Sequence, residues 1–144
     1  MALVYNVPIT FGRAGGARAL NCSGIDFSED VGRSWTWAPV AELDCQLPLA
    51  RQDIAMELSA SPFLVPDVLS VQRVYIFLGG QFIGYFALKG HAIRSFPVSR
   101  SLASGRLARL SLVIPDAVSP HSLGISEDKR ELGICLTSIT FRTV

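Results

Sequence analysis

Apolar residues in this chain recur at every second position far more than at helical spacing, and that periodicity confines it to β-architectures. From Ala41 to Leu47, Ala41, Leu43, Cys45 and Leu47 fall on one side of an extended strand; Glu42, Asp44 and Gln46 fall on the other. That is the pattern of a half-buried strand with one wet face. Ile54, Met56 and Leu58 alternate in the same way with Ala55, Glu57 and Ser59, and Leu110, Leu112 and Ile114 repeat the pattern. No window of about twelve residues carries a convincing 3.6-residue period. The best helical candidates are single turns within Ser99–Gly105 and Ser126–Leu132. In the second, Glu127 and Asp128 at the start and Lys129 and Arg130 near the end suit a helix dipole, and Gly133 would stop it.

The centre of the chain is patterned differently. Val71–Leu78 and Gln81–Leu88 are apolar on both faces and are separated by Gly79-Gly80, a dipeptide suited to the positive φ angles of a tight hairpin turn. Strands of this kind are expected at the middle of a sheet, one face in the core and the other partly covered. His91–Val98 is expected to extend the hairpin to a third strand, turned by Lys89-Gly90, and Gly133–Arg142 reads as the last strand. The first 40 residues are Gly-rich and irregular, and loops and edge strands are expected there. The sum is about eight strands joined by Pro, Gly and Ser turns. It predicts an all-β single domain over residues 1–144: an antiparallel β-sandwich with jelly-roll-like connections. An up-and-down barrel is the alternative.

Composition narrows the function classes. With 144 residues the chain can bury enough surface to fold without staples. Its apolar fraction of 49% leaves room for an apolar surface available to a partner. Thirteen basic residues against twelve acidic ones give a net charge of +1, so no long-range field favours nucleic acid or an anionic membrane. Cys22, Cys45 and Cys135 are odd in number and widely spaced, which argues for free thiols in a reducing, cytoplasmic setting. No signal-peptide pattern and no apolar run of transmembrane length is expected from this sequence.

Catalytic machinery is not evident. His91 and His121 are the only histidines, and neither lies in a metal-spaced motif. Gly12–Gly16 lacks the Lys-Ser/Thr ending of a phosphate loop. No cofactor or metal is expected. Asp26, Glu29 and Asp30 read as a solvated loop, with calcium ligation or a glycosidase pair as alternatives. Trp35 and Trp37 share one side of an extended segment. There they serve either as core anchors or as stacking faces for sugar rings. Asp128 and Arg130 are spaced for a charge-assisted pair that locks a loop or presents polar groups to a saccharide. The expected pairing is with each other, or with Arg33 or Glu29.

Two segments carry a family resemblance. Gly24–Thr36, GIDFSEDVGRSWT, resembles a signature G-F-S-x-x-E-x-x-G-R-W-T, with Ser34 intervening between Arg33 and Trp35. Ser119-Pro120, Leu123-Gly124, Asp128, Arg130 and Leu132-Gly133-Ile134 resemble S-P-x-x-L-G-x-S-x-D-x-R-x-L-G-I. Together they resemble a β-sandwich module attached to bacterial glycosyltransferases and surface-polysaccharide proteins. The resemblance implies a non-catalytic, carbohydrate-binding-like accessory domain. Its partners would be a saccharide and a glycosyltransferase; the alternative is an assembly domain making homo-oligomer contacts. Glu29, Arg33, Trp35, Trp37, Asp128 and Arg130 are the candidate ligand residues.

Overall fold

The structure is a computed structural model and describes residues 3–28 and 31–144. Among the described residues ten strands follow in order: β1 Ile9–Thr10, β2 Cys22–Ser23, β3 Ser34–Trp35, β4 Val40–Gln46, β5 Ile54–Pro62, β6 Gln72–Leu78, β7 Gln81–Leu88, β8 Ala92–Val98, β9 Leu107–Val113 and β10 Ile134–Thr143. Two 3₁₀ turns, Gly16–Ala19 and Arg100–Leu102, are the helical segments among the described residues. One five-stranded sheet runs β1-β10-β5-β8, with β3 also on β10; the other runs β2-β4-β9-β6-β7. All pairings are antiparallel. The all-β sandwich is therefore present, with ten strands in place of about eight. The additional ones are two-residue pieces in the N-terminal region, where edge strands were expected.

The core forms where the alternating sides face each other. Ala41, Leu43 and Cys45 of β4, Val74, Ile76 and Leu78 of β6, and Leu110 and Leu112 of β9 are buried. They meet Ile54, Met56 and Leu58 of β5 and Ile134, Leu136, Ile139 and Phe141 of β10. Cys45 and Cys135 are buried and Cys22 is half-buried. Burial pushes the Cys45 thiol up to about 12 and the Cys22 thiol up to about 11, so both are inert packing groups.

Three expectations are corrected. First, β6 and β7 do form a hairpin turned at Gly79-Gly80, both at positive φ (56° and 80°), but β7 is a sheet edge. The second face of this hairpin is covered by its own aromatic pairs and not by another layer. Second, β8 does not continue the hairpin. It crosses to the opposite sheet and pairs with β5, where Phe96 packs on Phe86 with ring centroids 5.6 Å apart. Gly84 makes room for it, since a Cβ there would lie 2.3 Å from the Phe96 ring. Third, Ser126–Leu132 holds no helical turn. The Asp128 carboxylate accepts a hydrogen bond from the Arg130 backbone N–H at 3.0 Å, a local bond that competes with helical pairing.

Candidate functional site

The two resemblance segments meet at one end of the sandwich. Residues 34–37 run as an extended strip between 24–26 and 131–136. The Trp37 N–H donates to the Gly24 carbonyl and the Asp26 N–H to the Trp35 carbonyl, both at 2.9 Å. On the other side the Thr36 N–H donates to Ile134 O at 2.8 Å, and the Ile134 N–H donates to Thr36 Oγ1 at 3.0 Å. The inward residues Ser34 and Thr36 are buried. Trp35 and Trp37 therefore point outward together. Trp35 is half-buried, edge-on to Phe63 at 6.3 Å, and Trp37 is 44% exposed. Neither is a fully buried core anchor.

The same two segments carry a charge clamp. The Arg130 guanidinium donates from Nη2 and Nε to the two Asp128 oxygens at 2.7 and 3.0 Å, and from Nη1 to Asp26 Oδ2 at 2.9 Å. Asp26 Oδ1 accepts from the Ser28 N–H and hydroxyl at 2.9 and 2.6 Å. Asp26 is buried, which alone would raise its pKa; the Ser28 hydrogen bonds and Arg130 outweigh that and hold it low. Hydrogen bonds from Arg130 hold Asp128 low as well. Asp26 is thus no solvated loop residue; it joins the Asp128–Arg130 pair as a further member. Arg33 is exposed. Glu29 and Asp30 lie outside the described residues. The clamp ties residue 26 to residues 128 and 130 across about a hundred positions of sequence.

A second feature escaped the sequence analysis. On the outer face of the β2-β4-β9-β6-β7 sheet, Tyr85 and Tyr75 pair across β7 and β6 with centroids 4.9 Å apart, and Phe82 and Phe77 pair at 5.6 Å. Phe82 is 58% exposed and Tyr85 46%. The register continues each row across the sheet. Tyr85 and Tyr75 lead to Val113 and Val40, and Phe82 and Phe77 lead to Ser111 and Glu42. The next row is Arg109 and Asp44. Ser111 Oγ donates to Glu42 Oε2 at 3.2 Å, and Arg109 Nε and Asn21 Nδ2 donate to Asp44 at 3.1 and 3.0 Å. Beyond the tyrosine row, Arg73 grips Asp116 with two hydrogen bonds of 2.9 and 2.7 Å. The signal was the hairpin's second apolar face, which reads equally well as a covered central strand. Among the described residues no group of three His, Cys, Asp or Glu is placed to hold a metal ion.

No protein-family profile matches the chain, and no curated protein is similar to it in sequence. Solved structures are similar in fold. The CBM36-1 domain of a multidomain xylanase from the hindgut metagenome of Trinervitermes trinervoides is 10% identical, with 96% of this chain and 97% of that one aligned and a TM-score of 0.56. A carbohydrate-binding module CBM36 solved with calcium and xylotriose is 12% identical, covering 94% and 98%, with a TM-score of 0.52. The C-terminal CBM6 of LamC from Zobellia galactanivorans is 8% identical, covering 95% and 100%, also at 0.52. At these identities the likeness establishes the fold alone: this chain shares the two-sheet antiparallel β-sandwich of these solved structures.

Proposed function

We propose that this chain is a non-catalytic carbohydrate-binding accessory module whose ligand surface is the aromatic sheet face. The observation that carries this reading is the pair of exposed cross-strand aromatic contacts, Tyr75–Tyr85 and Phe77–Phe82, bordered by fixed polar groups. Flat aromatic rings stack on the C–H faces of pyranose rings, and adjacent hydrogen-bonding groups serve the hydroxyls. The solved xylotriose and cellobiose complexes of similar fold give the reading its precedent. The resemblance in the two loop segments extends it to a place beside a bacterial glycosyltransferase in polysaccharide assembly, within the cytoplasm.

Phe82→Ala and Tyr85→Ala each remove one exposed stacking ring and leave the buried core untouched. Each is expected to weaken oligosaccharide binding by about tenfold, near 1.4 kcal/mol, with little change in the urea midpoint. Titration calorimetry against neutral plant and bacterial oligosaccharides checks this. Undiminished binding by both variants would move the site away from this face. A second reading, an assembly domain, rests on the apolar row Tyr85–Tyr75–Val113–Val40. It requires concentration-dependent self-association that the same variants abolish.

A further inference from the structure

The rows of the aromatic face differ in a way that constrains the ligand. The row through Tyr85, Tyr75, Val113 and Val40 is apolar across four strands, and Val40 at its far end is 41% exposed. The row through Phe82, Phe77, Ser111 and Glu42 changes from aromatic to polar halfway, and the row of Arg109 and Asp44 is charged. Apolar surface therefore extends farther across the strands, over four of them, than along β6, where it covers Tyr75 and Phe77. A ligand lying along β6 would have Tyr75 and Phe77 beneath it and then meet the Arg73–Asp116 pair. A ligand lying across the strands keeps its flat faces on the tyrosine row and one hydroxyl rim over Ser111, Glu42 and Arg109. Three strand spacings make this track about 14 Å long, the reach of a short oligosaccharide and not of a single sugar.

Charge restricts it further. The flanking ions are Arg73 and Arg109 against Glu42, Asp44 and Asp116, two positive and three negative, a sum of −1. Each is engaged: Arg73 with Asp116, and Arg109 between Asp44 and Glu42 at 3.1 and 3.9 Å. Hydrogen bonds from Asn21 and Arg109 keep Asp44 ionised, and those from Arg73 do the same for Asp116. An anionic sugar would meet carboxylates and two arginines already occupied. Hydroxyl groups, in contrast, can donate to the remaining carboxylate lone pairs. Resting on the saccharide reading of this face, we propose that its ligand is an uncharged oligosaccharide lying across the strands from β7 to β4, its hydroxyls read by Ser111, Glu42, Arg109 and Asp44.

The test is titration of the full chain with neutral xylo-, cello- and laminari-oligosaccharides from the disaccharide upward, beside oligogalacturonates of equal length. Neutral chains should gain affinity with length and then level off once the track is filled. Oligogalacturonates should bind about tenfold more weakly. Glu42→Gln and Ser111→Ala should each weaken the neutral ligands by about fivefold, the worth of one hydrogen bond. Equal or tighter binding of the acidic chains overturns the proposal. So does unchanged affinity in both variants while Tyr85→Ala loses binding, an outcome that leaves the saccharide reading of the face intact. Absence of binding by every oligosaccharide, acidic and neutral, overturns the underlying reading together with it.

Discussion

Gly24→Ala is expected to destabilise the fold by about 3–4 kcal/mol. Gly24 has φ +74°, a conformation that costs a side-chain-bearing residue about 1–2 kcal/mol. An added Cβ would also lie 2.3 Å from the Val40 carbonyl oxygen and 3.1 Å from the Ala41 Cα. Those neighbours are backbone at the start of β4 and cannot rotate away, so a displacement worth about 1–3 kcal/mol is added. The Gly24 carbonyl also receives the Trp37 N–H, so any shift is passed to the strip that carries both tryptophans. Urea melting measures the effect. A loss below about 1 kcal/mol would show that this close approach is not a constraint of the fold.

Arg130→Met is the second large effect, expected near 3 kcal/mol at neutral pH. It removes the cation from between Asp26 and Asp128 and leaves the buried Asp26 carboxylate without its ion-pair partner. Breaking a buried pair costs about 3–5 kcal/mol. The lower end applies because 23% of the Arg130 side chain and 27% of that of Asp128 remain in solvent. The pH dependence gives an independent readout. Both carboxyls have folded-state pKa values below their ordinary one. Their contribution to stability is therefore present above the unfolded value near 4 and is lost as pH falls through the folded values. The wild-type chain should lose stability steeply below about pH 4, and the gap between it and Arg130→Met should narrow over the same range. A gap that stays constant with pH would show that Arg130 stabilises by packing alone.

The clamp and the aromatic face were not equally legible in the sequence. Period-two alternation in β4, β5 and β9 reports which side of each strand is buried, and the core follows it residue by residue. Asp128 and Arg130 lie two positions apart, so their pairing was readable from spacing. Asp26, their third member, is about a hundred positions away, and only the path of residues 34–37 between the two loops brings it there. The Ser126–Leu132 turn looked helical because its charges suited a helix dipole, whereas Asp128 caps the Arg130 backbone instead. The aromatic face was missed for a different reason. An outward-facing aromatic row and a row covered by another layer have the same one-dimensional pattern. The sheet order, which puts β7 at an edge, decides between them, and it depends on where β8 crosses to the other sheet.

The most direct test of the saccharide site is an amide and aromatic NMR titration of the isotope-labelled chain with a neutral oligosaccharide series. The account predicts saturable shifts centred on Tyr75, Phe77, Phe82 and Tyr85, spreading to Ser111 and Glu42, while the Trp35 and Trp37 indole signals stay in place. Shifts confined to the two indoles and the 119–133 connection, or no shifts with any oligosaccharide, would contradict it.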